Sequence, residues 1–82
     1  MKRILRFTAP WCNPCKSLSV NLEQVDSKLP IEVIDIDVFP EVAAEYGIRN
    51  IPTLVMMNEN IEVKRINGVK TTKELREWIH ND

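Results

Sequence analysis

The sequence predicts an α/β protein with elements in the order β-α-β-α-β-β-α. Three observations predict it. A short apolar run, a helical apolar stripe and a second apolar run follow one another over residues 2–38, as a βαβ unit requires. Two further runs are split by Asn58-Glu59-Asn60, as in a hairpin. The last segment opens on Thr71-x-x-Glu74, a capping pattern ahead of an amphipathic helix.

Each element has its own signal. Residues 2–8, Lys-Arg-Ile-Leu-Arg-Phe-Thr, read as a strand that stops before Ala9-Pro10. Cys15, Leu18, Leu22, Val25 and Leu29 then recur at steps of three and four, the apolar stripe of a helix of about four turns. Pro14 suits its first turn and Pro30 its exit. Residues 31–38 form a second strand, which should lie parallel to the first through a right-handed crossover. Glu41 to Tyr46 predicts a short helix ended by Gly47, where a positive φ is favoured. Residues 52–57 form an apolar strand, and residues 61–66 alternate apolar with charged side chains, giving a hairpin with one wet face. Leu75, Trp78 and Ile79 supply the apolar face of the final helix.

Composition excludes several classes of function. With 82 residues, 44% of them hydrophobic and 28% charged, the chain has the usage of one globular domain, expected over residues 1–82. Eleven Lys and Arg oppose twelve Asp and Glu for a net charge of −1, without the basic excess that nucleic-acid binding needs. No apolar stretch approaches the roughly 18 residues of a membrane span. The basic start Met1-Lys2-Arg3 is followed by an apolar run that Arg6 interrupts too early for a signal peptide, so a cytoplasmic protein is expected.

Chemistry concentrates at Cys12 and Cys15, the two cysteines of the chain. A disulfide between them closes a loop of four residues and, by chain entropy, stabilises the fold by at most about 2 kcal/mol. A close pair that staples so little points instead to metal binding or redox chemistry. Structural zinc needs four ligands, and His80 is the one other candidate, so neither a metal nor a bound cofactor is expected. A thiol at a helix amino end feels the positive end of the helix dipole and its free N–H groups, which favours thiolate. Cys12 occupies that position. Cys15, one turn along on the apolar stripe, should be more buried and keep a higher pKa, as suits a thiol that resolves a mixed disulfide.

At these residues the chain resembles the thioredoxin family. Phe7-Thr-Ala-Pro-Trp-Cys-Asn-Pro-Cys-Lys16 is similar to the family's active-site segment, and Tyr46-Gly-Ile-Arg-Asn-Ile-Pro-Thr-Leu54 to its loop leading into a cis-proline. The resemblance implies a thioredoxin-like fold in a trimmed form, a four-stranded mixed sheet flanked by helices, because the family's first strand and helix have no counterpart here. It implies that Cys12 is the attacking thiol, Cys15 the resolving thiol, Trp11 an exposed aromatic beside them and Pro52 a cis-proline facing the pair, with Pro14 in the motif. Ile51, Gly68 and Val69 would meet the substrate chain, Ile51 through its backbone, and Trp11, Ile48, Ile51, Pro52 and Val69 would form an exposed apolar patch round Cys12.

Two positions depart from the family. Asn13 stands where thioredoxins typically carry glycine. Arg6 stands where the family has a buried aspartate beneath the resolving cysteine, and Val33 where that aspartate has a lysine partner. Arg6 is expected to snorkel to the surface or to pair with Asp35 or Asp37.

The implied activity is reduction of protein disulfides by a monomeric dithiol carrier recharged by a thioredoxin-reductase-like donor. Two other readings remain. A glutaredoxin-like enzyme recharged by glutathione fits the fold size, although the segment here is Asn50-Ile-Pro-Thr53 and Gly68 is followed by Val69-Lys70. A non-catalytic subunit of a larger enzyme would leave the cysteines incidental.

Overall fold

The computed structural model describes residues 1–81. Seven elements follow in the expected order: β1 (Lys2–Thr8), α1 (Asn13–Glu23), β2 (Ile31–Asp35), α2 (Pro40–Glu45), β3 (Thr53–Asn58), β4 (Ile61–Asn67) and α3 (Thr72–His80). They form a four-stranded mixed sheet in the order β2-β1-β3-β4. β1 and β2 are parallel, with Arg6 opposite Val33, while β1 and β3 are antiparallel, with Arg6 opposite Leu54.

Two apolar layers sandwich the sheet, because successive strand side chains point to opposite faces. Ile4, Leu54 and Met56 face α1 and α3, where they meet Leu18, Leu22, Leu75 and Ile79. Leu5, Phe7, Val55 and Met57 face α2 and meet Ala43. β3 is thus buried on both sides, which explains its unbroken apolar run, while β1 carries Ile4, Leu5 and Phe7 into the two layers and is broken at Arg6. Asn21 Nδ2 donates to the Lys70 carbonyl at 2.9 Å and ties α1 to the entry of α3.

Three differences from the sequence expectation go beyond a single terminal residue, each for a local reason. α1 ends at Glu23 after three turns rather than continuing to Leu29. Val25 N–H bonds to the Leu22 carbonyl, and the Ser27 hydroxyl accepts from Leu29 N–H, so side chain and backbone turn the chain out of the helix. Val25 still reaches the core and Leu29 packs against it, which is why the periodicity overran the helix. β2 stops at Asp35, not at Val38, because Asp35 Oδ1 accepts from Asp37 N–H at 2.9 Å and its carbonyl from Val38 and Phe39, a side-chain-stabilised turn.

The third difference is in the hairpin. A bulge between Met56 and Met57 sets Met57 opposite Glu62 and Met56 opposite Lys64, so Val63 is the extra residue. The inward face of β4 is therefore Lys64 and Ile66, while Ile61 and Val63 are exposed. The Lys64 ammonium lies 5.3 Å from the centre of the Trp78 ring and donates to the carbonyls of Trp78 and Asn81, closing the carboxyl end of α3.

At the other end of α3 the capping box is complete. Thr71 Oγ1 accepts from Glu74 N–H at 3.1 Å, and Glu74 Oε1 accepts from Thr71 N–H at 3.0 Å. Thr71→Ala should destabilise folding by about 1 kcal/mol in chemical denaturation. The bonds from Thr71 hold the Glu74 carboxyl below its ordinary pKa. A depressed folded pKa contributes stability above the unfolded pKa that is lost as pH falls through the folded value. Glu74→Gln should therefore lower the thermal midpoint at neutral pH and converge with the parent protein in acid.

Candidate active site

The site forms where β1 hands over to α1. The chain leaves the sheet at Thr8, turns through Ala9-Pro10-Trp11 with Cys12 N–H bonded to the Ala9 carbonyl at 3.2 Å, and enters α1 at Asn13. Cys12 is the N-cap residue, with extended backbone at φ −92° and ψ 103°. Its Sγ accepts from Cys15 N–H at 3.2 Å, so sulfur occupies the place where a capping oxygen usually meets the free amides of the first turn. Pro14 lies in that turn, where its missing N–H is no loss.

Cys12 and Cys15 are joined by a disulfide with Cα atoms 5.2 Å apart. They pack with Ala9 into a small apolar cluster covered by Ile36 and Ile51. Cys12 is 5% exposed and Cys15 1%, so both are buried and Cys12 lies nearer the surface. The Cys15 N–H that meets Cys12 Sγ favours negative charge on that sulfur, while Cys15 sits farther from water.

The other expected site residues separate into two sets. Trp11, 65% exposed, stands beside the pair with its indole Nε1 donating to Asp37 Oδ2 at 2.8 Å. Val69, 46% exposed, lies on the surface next to Gly68, whose φ of 85° favours glycine. No atom lies within 4 Å of a Cβ built at Gly68, so the space beside it is open. Pro52 is fully buried, Ile51 and Ile48 are half-buried, and both isoleucines pack on the α2 layer. The expected patch of five exposed apolar residues is therefore corrected to Trp11 and Val69, with the isoleucines half-sunk and Pro52 beneath the surface, because the apolar loop before β3 is drawn into the core.

The Ile51–Pro52 peptide bond is cis. Gly68 N–H bonds to the Pro52 carbonyl at 2.9 Å, joining the loop before β3 to the end of β4. Among the described residues, Ile51 N–H and C=O enter none of the turn and loop hydrogen bonds.

Arg6 does not pair with Asp35 or Asp37 among the described residues. Asp37 is engaged by Trp11, and Asp35 by the backbone of Asp37. The guanidinium is half-buried on the α1 side of the sheet, and its pKa is lowered by burial, with Glu23 of α1 opposing the shift. Sequence reasoning missed Asp37 as the anchor of Trp11. Its signal was the Asp35-x-Asp37 spacing, which ends β2 in a turn and aims Asp37 at the site.

The thioredoxin family profile matches residues 1–81. The chain belongs to the thioredoxin family. Thioredoxins are disulfide oxidoreductases that act on disulfide substrates with a reductase donor, and the Cys12–Cys15 pair is the dithiol that such chemistry needs. Thioredoxin C-3 of Corynebacterium nephridii is 42% identical over 79 residues, which are 93% of this chain and 54% of that protein. The chain thus spans about half of that relative. Thioredoxin of Bacillus subtilis is 38% identical over 90% of this chain and 75% of its own length. Among solved structures, a mutant thioredoxin from Halobacterium salinarum superimposes with a TM-score of 0.87 at 29% identity, covering 95% of this chain and 71% of that one. The thioredoxin-like fold, a four-stranded mixed sheet flanked by helices, is the one expected from the sequence. No helix among the described residues is long and apolar enough to cross a membrane.

The Trp11–Asp37 bond makes a prediction of its own. In a Trp78→Phe background, Asp37→Ala should free the Trp11 indole and lower its fluorescence anisotropy, whereas Asp37→Asn, which keeps an acceptor, should retain it. Equal anisotropy in all three proteins would contradict the bond.

Proposed function

We propose that residues 1–82 act as one monomeric, cytoplasmic domain that reduces protein disulfides. The observation that carries this reading is the placement of a redox-capable pair at the start of α1, with Cys12 Sγ on the Cys15 amide and Cys15 more deeply buried. The Cys12 thiolate attacks one sulfur of a substrate disulfide, forming a mixed disulfide and releasing the other substrate sulfur, which takes up a proton. Cys15 then gives up its proton and attacks Cys12 Sγ. The second substrate sulfur leaves, is protonated, and Cys12–Cys15 is oxidised. Two electrons have passed from the pair to the substrate, and a thioredoxin-reductase-like donor returns them. No bound cofactor takes part in these steps.

Trp11 beside the pair and Val69 next to Gly68 supply exposed apolar surface, and the Ile51 backbone is suited to pair with an extended segment of substrate. Open space at Gly68 supports a close approach there. Such contacts ask little of side-chain identity, which suits substrates of varied sequence.

Insulin reduction driven by dithiothreitol tests the activity, and regeneration by thioredoxin reductase against glutathione tests the donor. Turnover with thioredoxin reductase is expected; regeneration by glutathione alone would favour a glutaredoxin-like enzyme. Cys12→Ser should abolish turnover. Cys15→Ser should leave the first attack intact and accumulate mixed disulfides at Cys12, visible as covalent adducts lost on reduction. Absence of any adduct with a disulfide-containing protein would contradict the assignment of roles.

A further inference from the structure

Arg6 is a half-buried cation on the central strand, and the steps above do not use it. Along β1, Leu5 and Phe7 face α2 while Ile4 faces α1, so Arg6 lies on the α1 side. Both of its cross-strand neighbours, Val33 and Leu54, are apolar. α1 presents Cys15 and Ser19 one turn apart towards the same region. Arg6, Cys15 and Ser19 together line a cavity of about 360 Å³, with Lys16, Val33 and Asp35 on its wall. A second cavity of about 170 Å³ continues past Arg6 to Glu23.

The charges around this space are unequal in their reach. Arg6 and Lys16 bring two positive charges to the cavity that Cys15 lines, against the single carboxylate of Asp35. Asp35 is already engaged by Asp37 N–H. Glu23, at the far end of α1, is exposed and lies outside the Cys15 cavity. Burial draws Arg6 partly out of water, so its field is less screened than that of a surface cation.

We infer that Arg6 is a positioning residue of the dithiol, stabilising across the shared cavity the negative charge that Cys15 carries when it attacks the mixed disulfide. The inference rests on the proposed dithiol reading. In that step the Cys15 proton goes to water, its sulfur bonds to Cys12 Sγ, and the substrate sulfur leaves with the bonding pair. Arg6 neither gains nor loses a proton. A stabilised thiolate favours the reduced pair over the disulfide, so Arg6 makes the disulfide more oxidising.

The test isolates Cys15. In a Cys12→Ala background Cys15 is the sole thiol, and ultraviolet thiolate absorbance against pH reports its titration. Arg6→Gln should raise the midpoint by about one unit, a tenfold loss of thiolate below the midpoint, and Arg6→Lys should restore most of it. In the two-cysteine protein Arg6→Gln should shift the equilibrium with a reference dithiol by up to about tenfold towards the disulfide, equal to about 30 mV. Glu23→Gln, a surface change that removes the carboxylate opposing Arg6, should lower the midpoint. An unmoved midpoint in both variants overturns the inference, and if Arg6→Gln does not fold, Glu23→Gln alone decides. Insulin reduction by the parent protein is read separately: its failure sinks the dithiol reading, whereas an unmoved titration in an active protein sinks only the role of Arg6.

Discussion

The seating of the first turn of α1 on the end of β1 is the constraint on which the rest depends. β1 is the second strand of the sheet, paired with β2 on one side and β3 on the other, and its core residues are buried on both faces. A strand held on four sides cannot shift by one residue without exchanging its two apolar layers. The short turn from Thr8 to Asn13 therefore transmits the rigidity of the core to Cys12. Everything chemical in the protein hangs on that turn: the capping sulfur, the buried partner one turn along, and the tryptophan just before them.

The fold then divides labour among its elements. α1 supplies amides and dipole to one sulfur and burial to the other, two environments made from a single turn of helix. The turn after β2 anchors Trp11 through Asp37, so the most exposed aromatic of the site is held from the neighbouring strand rather than by its own segment. The loop before β3 covers the disulfide with Ile51, and Gly68 fastens that loop to the end of β4. Four segments distant in sequence thus converge on one small surface.

The core of this arrangement was legible in the sequence because it is encoded locally. Cys12-x-x-Cys15 after a strand and ahead of an apolar stripe, Thr71-x-x-Glu74, and Gly47 at a positive φ of 64° are each signals confined to a few residues. What was not legible depends on partners. Val25 and Leu29 kept helical spacing because the core selects them whether or not the backbone is helical. The β4 bulge inverted the reading of Ile61 and Val63, since one inserted residue changes which alternate positions face inward. Pro52 and the isoleucines near it were expected in an exposed patch by the resemblance, which does not say how far this loop sinks into the core. Arg6 was visible as an anomaly, but its neighbours were not. The cavity it shares with Cys15 is formed by β1, β2 and α1 together, and no sequence window contains all three.

One turn of α1 gives the two sulfurs unlike surroundings, and the pH dependence of alkylation of the reduced protein, resolved by residue with mass spectrometry, measures the consequence most directly. Iodoacetamide should modify Cys12 first, with an apparent pKa below the ordinary thiol value of about 8.5, and Cys15 only slowly. Modification of Cys15 ahead of Cys12, or of both at the same rate with an ordinary thiol pKa, would contradict it.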